Sequence, residues 1–427
     1  MSLGTYRRAA AVLVVLGVVG GTAAVPAYAA DPSGGTHWSP ISIAAAGECT
    51  FPAAPVQSRP WALQRVLLNE LWASGTGIDV STKAPVKVAV IDTGVDNSNP
   101  QLSGPGKVID GGTLLTDKQT GKPVDGSGVT DTVGHGTKVA GIIAARPMPG
   151  VTGFVGLAPD AVIYSVRQND SEGNGDVGTL IKAIDLAVAA GVQVINISQD
   201  VRADSEDGKF NQKDDLQKAL QRAEDKQIVV VASSGNDGHE GDTFPAAFET
   251  VLAVGASDRN NERAPFSQYG DFVDVAAPGV DMLSTVPKGG QCVDNGTSFS
   301  SPYVAGLAAL LKGMYPKWSA AQVRARIEQT AQRTQRGRNK FIGWGVVDPV
   351  KAVQATGSQP DKPHEDAPVK LDTVPIVAQP LGLAETQADR DRRTGTYVLG
   401  VGGLTVAALA GGAVVLRDHR RRRRDHV

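Results

Sequence analysis

Short apolar runs rich in β-branched residues alternate, through the middle of the chain, with longer stretches whose apolar positions recur at helical spacing. Val86–Ile91, Val162–Val166, Val192–Ile197, Ile228–Val231 and Val251–Val254 read as strands, nearly continuous in their hydrophobicity. Trp61–Trp72, Lys138–Ala145, Val177–Ala190, Asp214–Asp225 and Ala320–Thr330 read as helices. Pro302–Met314 is apolar almost all round, which predicts a buried helix. Strands that are apolar on both faces and separated by helices predict an α/β fold with a mostly parallel sheet covered on both sides. No internal repeat interrupts the alternation.

The two ends of the chain follow another pattern. Arg7 and Arg8 precede an apolar run from Ala9 to Ala24, and Ala27-Tyr28-Ala29 supplies a small-x-small cleavage pattern, so residues 1–29 read as a secretory signal. The alternative is a permanent N-terminal anchor. Near the other end, Thr396 to Leu416 carries no charge and is long enough as a helix to cross a hydrocarbon core of ~30 Å. Residues 396–416 therefore read as one transmembrane helix, the alternative being a buried core helix. Arg392 and Arg393 stand before it, and Arg417 with the run Arg420 to Arg424 after it; the heavier positive flank predicts a cytoplasmic tail at 417–427. Residues 30–60, rich in Pro, Ala, Gly and Ser, read as an arm too short to bury its own core. Residues 61–355 hold the α/β pattern, and 356–395 read as a proline-rich flexible stalk. The layout is that of an exported domain tethered to membrane lipid through its C-terminal helix.

Composition sharpens this picture. At ~150 residues per domain, the 427 residues suggest about three units, yet the strand-helix alternation assigns most of them to one. With 42 Lys+Arg against 44 Asp+Glu, the formal net charge of -2 offers no general field for nucleic acid. Cys49 and Cys292 stand alone; in an exported protein such a pair reads as a disulfide, with two free thiols as the alternative. The bond would pin the arm to the surroundings of residue 292. Arg333, Arg336, Arg338 and Lys340 read as a solvated charged loop.

The histidines narrow the chemistry. His364 falls in the stalk and His419 and His426 in the tail, leaving His37, His135 and His239 without metal-ligand spacing; a zinc hydrolase is disfavoured and no metal or cofactor is expected. His135 lies in Gly134-His135-Gly136-Thr137, at the entrance to a helix. Asp92 closes a strand and is followed by Thr93-Gly94, at the strand end where open α/β sheets bind ligands. Ser298 lies in Gly296-Thr297-Ser298-Phe299, directly before the buried helix. Taken singly, each has a plainer reading: a turn residue for His135, a turn or cap for Asp92, an N-cap for Ser298. Together they supply what hydrolysis by a serine requires. A hydroxyl is a poor nucleophile until an imidazole takes its proton, and the imidazole needs a carboxylate to fix its tautomer and stabilise its cation. Asn236, in Ser233-Ser234-Gly235-Asn236 after a strand, is placed to donate to an oxyanion together with the Ser298 backbone N–H.

Asp92-Thr93-Gly94, His135-Gly136-Thr137 and Gly296-Thr297-Ser298 resemble the three signature blocks of subtilisin-like serine proteases, and Ser233-Gly235-Asn236 resembles their oxyanion block. Gly156-Leu157-Ala158-Pro159, Val194-Ile195-Asn196-Ile197-Ser198 and Ala277-Pro278-Gly279 extend the likeness, which covers about Trp61 to Val353. A narrower likeness is to the mycosins, the membrane-anchored subtilases of type VII secretion systems. It is carried by Ser165-Val166-Arg167-Gln168, Pro302-Tyr303-Val304-Ala305-Gly306, Gly345-Val346-Val347-Asp348-Pro349 and the order of signal, arm, protease domain, stalk, span and tail. The resemblance implies a subtilisin-like three-layer fold and a serine endopeptidase acting on exported proteins. Ser298 would be its nucleophile, His135 its base, Asp92 the orienting carboxylate and Asn236 the oxyanion donor. Ser198 and Gly235 would contact substrate, whose backbone adds as a strand to the segment ending at Ser198. It further implies an arm that wraps the domain and a place beside the secretion membrane complex, where a structural role with dispensable activity is the alternative. Two departures stand out: Ser300-Ser301 where the family usually carries alanines, and Gln199-Asp200 where many secreted subtilisins carry Leu-Gly. The second puts a broad hydrophobic preference in doubt.

Overall fold

Val88 and Val90 face one side of a strand and Ala89 and Ile91 the other, and all four are buried, each pair in its own apolar cluster. A strand can do this only in the middle of a sheet covered on both faces. The computed structural model describes residues 40–42, 49–116, 120, 122, 124, 126–170, 173–202, 212–357, 359–368 and 385–424. The predicted secretory signal, and residues 358 and 369–384 of the predicted stalk, lie outside the described residues.

In chain order the first elements are β1 (Pro40–Ser42), α1 (Trp61–Gln64), α2 (Leu68–Ala73), β2 (Lys87–Asp92), β3 (Val108–Thr113), α3 (His135–Ala144), β4 (Val162–Arg167) and β5 (Asn174–Asp176). There follow α4 (Val177–Ala189), β6 (Val194–Ile197), β7 (Val201–Arg202), α5 (Lys213–Asp225), β8 (Val229–Ser233), β9 (Thr243–Phe244), β10 (Val251–Ser257) and β11 (Val275–Pro278). The unit ends with the hairpin β12 (Met282–Thr285) and β13 (Gln291–Asp294), then α6 (Thr297–Met314), α7 (Ala320–Thr330) and α8 (Pro349–Gln354). A parallel seven-stranded sheet in the order β11-β10-β8-β6-β2-β4-β3 forms its centre. Helices α3, α6, α7 and α8 share a core with one face, and α4 and α5 with the other. This is the predicted three-layer α/β architecture. As its all-round apolar sequence predicted, α6 is buried from Thr297 to Gly313.

Several boundaries differ from the sequence reading, each for a local reason. The single helix expected over Trp61–Trp72 breaks into α1 and α2, because Leu63, Val66, Leu68 and Leu71 all reach the core only if the chain turns between them, leaving Leu67 exposed. β3 and β11 had no strand signal: β3 is an edge strand that carries Asp110-Gly111-Gly112, and β11 is four residues long and ends in Pro278. α6 begins at Thr297, so Ser298 lies in its first turn and Pro302 falls inside it.

Residues 359–367, assigned by sequence to the stalk, lie against the domain. Arg326 donates to Gln359, His364 N–H donates to Gln329, and Arg333 pairs with Asp366 at 2.7 Å. Arg333, Arg338 and Lys340, read as part of a solvated loop, are ion-paired with Asp366, Asp274 and Glu240. The compact unit closes at Ala367. A second unit contains α9 (Gln387–Arg424), a helix long and apolar enough to cross a membrane by length and composition.

Candidate active site

The site arises where the sheet changes direction. From the central β2 the chain passes to the edge strand β3, returns through α3 to β4, and then crosses past β2 to β6 through α4, so α3 and α4 lie on opposite faces beside β2. Both crossovers run the same way along the sheet but on opposite faces, so they are of opposite hand, and the crevice lies between them at the carboxyl ends of the neighbouring strands. Asp92 ends β2, Ser198 follows β6 and Gly235-Asn236 follow β8, so three adjacent strands deliver their next residues to one crevice.

His135 is the first residue of α3 and is fully buried. Its Nδ1 lies 2.7 Å from Asp92 Oδ1, while Asp92 Oδ1 also accepts from the Thr93 backbone N–H at 2.8 Å. Asp92 and His135 approach this closely because residue 136 is glycine: a Cβ there would collide with the Gly94 carbonyl and touch the Asp92 side chain. The first-turn N–H groups of α3 are satisfied from outside the helix, Gly136 donating to Thr93 Oγ1 at 3.0 Å and Thr137 to Asp131 Oδ2 at 2.9 Å. On its other side the imidazole meets the Phe299 ring, centroids 5.3 Å apart. Asp92 Oδ2 and His135 Nε2 are buried without a hydrogen-bond partner among the described residues.

Ser298 sits next to that imidazole's neighbour Phe299, at the positive end of α6. Pro302 lacks the N–H that would bond the Ser298 carbonyl in a regular helix. The freed carbonyl accepts instead from Ser198 Oγ at 3.1 Å, and Ser298 Oγ donates back to the Ser198 carbonyl at 3.1 Å. The structure thus brings Ser298 to Ser198 and does not hydrogen-bond it to His135. Such contacts are commonly loose in unliganded hydrolases and tighten on the substrate. The Ser300 hydroxyl donates to the Pro278 carbonyl and the Ser301 hydroxyl meets Ser198 Oγ, so both departures from alanine are satisfied.

Asn236 Oδ1 accepts from the backbone N–H of Thr297 at 2.8 Å and its hydroxyl at 3.1 Å, which commits the acceptor end of the amide to the start of α6 and leaves the NH2 end as donor. Gly235 precedes it in a left-handed conformation, φ 102°. Around Gly235 stand the Asp200 carboxylate, Thr243 and Gln268, while Gln199 is buried and donates to Gln168. The side chains at 199 and 200 and those around Gly235 are thus polar.

Cys49 and Cys292 form a disulfide, with Cα atoms 6.2 Å apart, that fastens the arm to β13 just ahead of the Ser298 loop. The arm continues along the surface, Ala53 N–H donating to Gly289, Val56 N–H to Gln291 and Gly153 N–H to Val56. Farther upstream, β1 pairs antiparallel with β5 and lies beside β7, the continuation of the Ser198 segment. Sequence reasoning missed Asp131, Thr93 and Thr297 as parts of this site. The one signal for Asp131 was an acidic side chain in the turn ahead of a helix, a cap pattern.

A buried imidazole with one nitrogen on a carboxylate and the other unpaired, a hydroxyl at a helix start and an amide donor beside it are the parts of an acyl-transfer site. The comparisons agree. Residues 83–345 match the family model described as Peptidase_S8, subtilase family. Subtilisin NAT of Bacillus subtilis subsp. natto is 37% identical over 302 residues, 70% of this chain and 72% of that protein. Subtilisin of Bacillus pumilus is also 37% identical over 302 residues, 70% of this chain and 100% of that one. Among solved structures, MycP1 from the ESX-1 type VII secretion system aligns with TM-score 0.63 at 31% identity, covering 77% of this chain and 94% of its own. MycP1 from Mycobacterium smegmatis gives 0.62 at 30%, covering 79% and 95%. The fold, the residues at the sheet's switch point and these likenesses converge: the chain belongs to the subtilase family of serine proteases, with mycosin proteases as its structural neighbours.

Proposed function

We propose that this protease hydrolyses exported proteins through a Ser298-His135-Asp92 triad, at the outer face of a membrane and beside a type VII secretion complex. The observation that carries the reading is the 2.7 Å bond from His135 Nδ1 to Asp92, which leaves Nε2 free to accept a proton. Ser298 Oγ leaves its contact with the Ser198 carbonyl and attacks the scissile carbonyl as His135 Nε2 takes its proton; Asp92 stabilises the resulting imidazolium. The Asn236 amide and the Ser298 backbone N–H donate to the oxyanion. His135 returns the proton to the leaving amine, and water then cleaves the acyl-enzyme by the reverse roles. Substrate backbone adds beside the segment that ends at Ser198, with Gly235 on the facing wall. The polar wall of Gln199 and Asp200 favours a narrower substrate range than a hydrophobic slot.

Membrane attachment is assigned to α9 and the cytoplasmic side to the Arg420–Arg424 run. A second reading, a stabilising component of the secretion complex with dispensable activity, draws support from β1, which lies along β5 beside the Ser198 segment where an incoming peptide would pair. Complementing a deletion strain with Ser298→Ala separates the two. The enzyme reading expects cleavage of exported proteins to vanish. Secretion restored to normal with cleavage lost would assign the essential role to the scaffold, and cleavage unaffected by the substitution would overturn the triad.

A further inference from the structure

We propose that Asp131 is a positioning residue for this hydrolysis, its carboxylate locking the strand end that bears Asp92 to the helix start that bears His135. The inference rests on the reading in which those two residues carry the chemistry. Asp131 is 6% exposed, and its hydrogen bonds go to neighbours of these two residues instead of to the residues themselves. Its two oxygens accept five hydrogen bonds: Oδ1 from Thr93 Oγ1 at 2.9 Å, Val133 N–H at 3.1 Å and Gly134 N–H at 2.8 Å, and Oδ2 from Thr137 N–H at 2.9 Å and Thr137 Oγ1 at 2.6 Å. Thr93 follows Asp92 directly, and its hydroxyl oxygen in turn accepts from Gly136 N–H. The Thr137 hydroxyl accepts from Asp96 N–H at 2.9 Å, adding a second strut to the same strand-end loop. His135 is therefore held on both sides along its backbone, and each side is bonded to the segment that presents Asp92.

A plain helix cap accounts for part of this, since Asp131 serves first-turn donors of α3. It does not account for the bond to Thr93, which belongs to another element, 38 positions away in sequence. Three of the five donors are backbone N–H groups that cannot reverse. Asparagine, with one acceptor oxygen, would set its NH2 against at least one of them. Burial pushes the Asp131 carboxyl up from its ordinary range, and only the hydrogen bonds oppose that cost. A group kept under those terms, at a junction where a misplacement of about 1 Å can cost ~10²-fold in rate, is placed to govern the His135–Asp92 bond.

The test uses the full chain in detergent and a fluorophosphonate probe, whose capture by Ser298 requires an activated hydroxyl but no knowledge of the natural substrate. Thr93→Val removes the cross-link, with the acceptor of Gly136 N–H, and leaves the Asp131 bonds to Val133, Gly134 and Thr137; Asp131→Asn disturbs those bonds as well. Each is expected to lower kinact of labelling roughly ten- to a hundredfold with KI within about twofold. Each should also move or abolish the low-field imidazole Nδ1 proton resonance of the His135–Asp92 bond, which a purely structural role would leave in place in folded protein. Should Asp131→Asn fail to fold, Thr93→Val decides alone. Wild-type kinact and an unshifted resonance in folded Thr93→Val overturn the proposal. His135→Ala distinguishes the layers: if it still labels at the wild-type rate, the underlying triad reading fails; if it does not label while Thr93→Val labels normally, the clamp alone fails.

Discussion

Glu328, on α7, is buried beside Asp274, and the guanidinium groups of Arg324 and Arg338 only partly offset the crowding of two carboxyls. Arg338 is bonded to Asp274 at 3.0 Å and Arg324 to Glu224 at 2.6 Å, so neither cation is dedicated to Glu328. Burial and then Asp274 push the Glu328 carboxyl up to about 8, and burial pushes Asp274 up to about 6. Both folded values lie above the unfolded ones, so the folded state binds protons that the unfolded state releases. That contribution to stability is complete below the ordinary carboxylate range and is lost as pH rises through the folded values. Thermal unfolding of the wild type followed from about pH 5 to pH 9 should show Tm falling. Glu328→Gln, neutral throughout, should flatten the curve and unfold at higher temperature than wild type at the alkaline end. An unchanged slope in the variant would show that Glu328 does not titrate in this window.

At the scale of elements, one buried ion pair ties the two helix starts of the site together. Lys138 of α3 meets Asp294 of β13 at 2.7 Å, both side chains nearly inaccessible, and β13 runs through Asn295 and Gly296 into Ser298. Replacing Lys138 by Met takes the Lys138 charge away from the buried Asp294 carboxylate. The expected cost is about 3–5 kcal/mol in denaturant unfolding, most of it recovered when Asp294→Leu is added. No recovery in the double variant would mean that the pair contributes through more than its charges. Neither this pair nor the Asp131 clamp was legible in the sequence, because each joins positions far apart whose meeting only the folded sheet decides. β2, β6, β8 and β10 were legible because runs of Val, Ile and Leu mark them; β3 carries Asp110-Gly111-Gly112 on a half-exposed edge, and β11, Val-Ala-Ala-Pro, holds a single β-branched residue. Asp92, His135 and Ser298 were readable as blocks of glycine and small residues, since close backbone approach demands glycine at Gly136 and a φ of 149° favours it at Gly296. The contact of Ser298 with Ser198 was hidden, although Pro302, which frees the Ser298 carbonyl for it, stood in plain view.

For the whole molecule, the division at Ala367 sets a chemical boundary as well as a structural one. The family match ends at residue 345, and the segment to 367 is bonded back to the domain through Gln359, His364 and Asp366. Nothing the proposed chemistry uses lies beyond it. The charge-free stretch from Thr396 to Leu416 spans ~31 Å as a helix, enough for a hydrocarbon core, and no residue of α9 described with a side chain is buried. By length and composition such a helix is a candidate membrane span, and the proposed attachment rests on that. A chain ending at Ala367 should therefore appear in the soluble exported fraction and react with the fluorophosphonate probe at the full-length rate. The full chain should sediment with membranes and leave them only with detergent, not with alkaline carbonate. Membrane retention of the shortened chain would place the anchor elsewhere, and loss of probe labelling with its fold intact would show that the segment beyond Ala367 supports the active site.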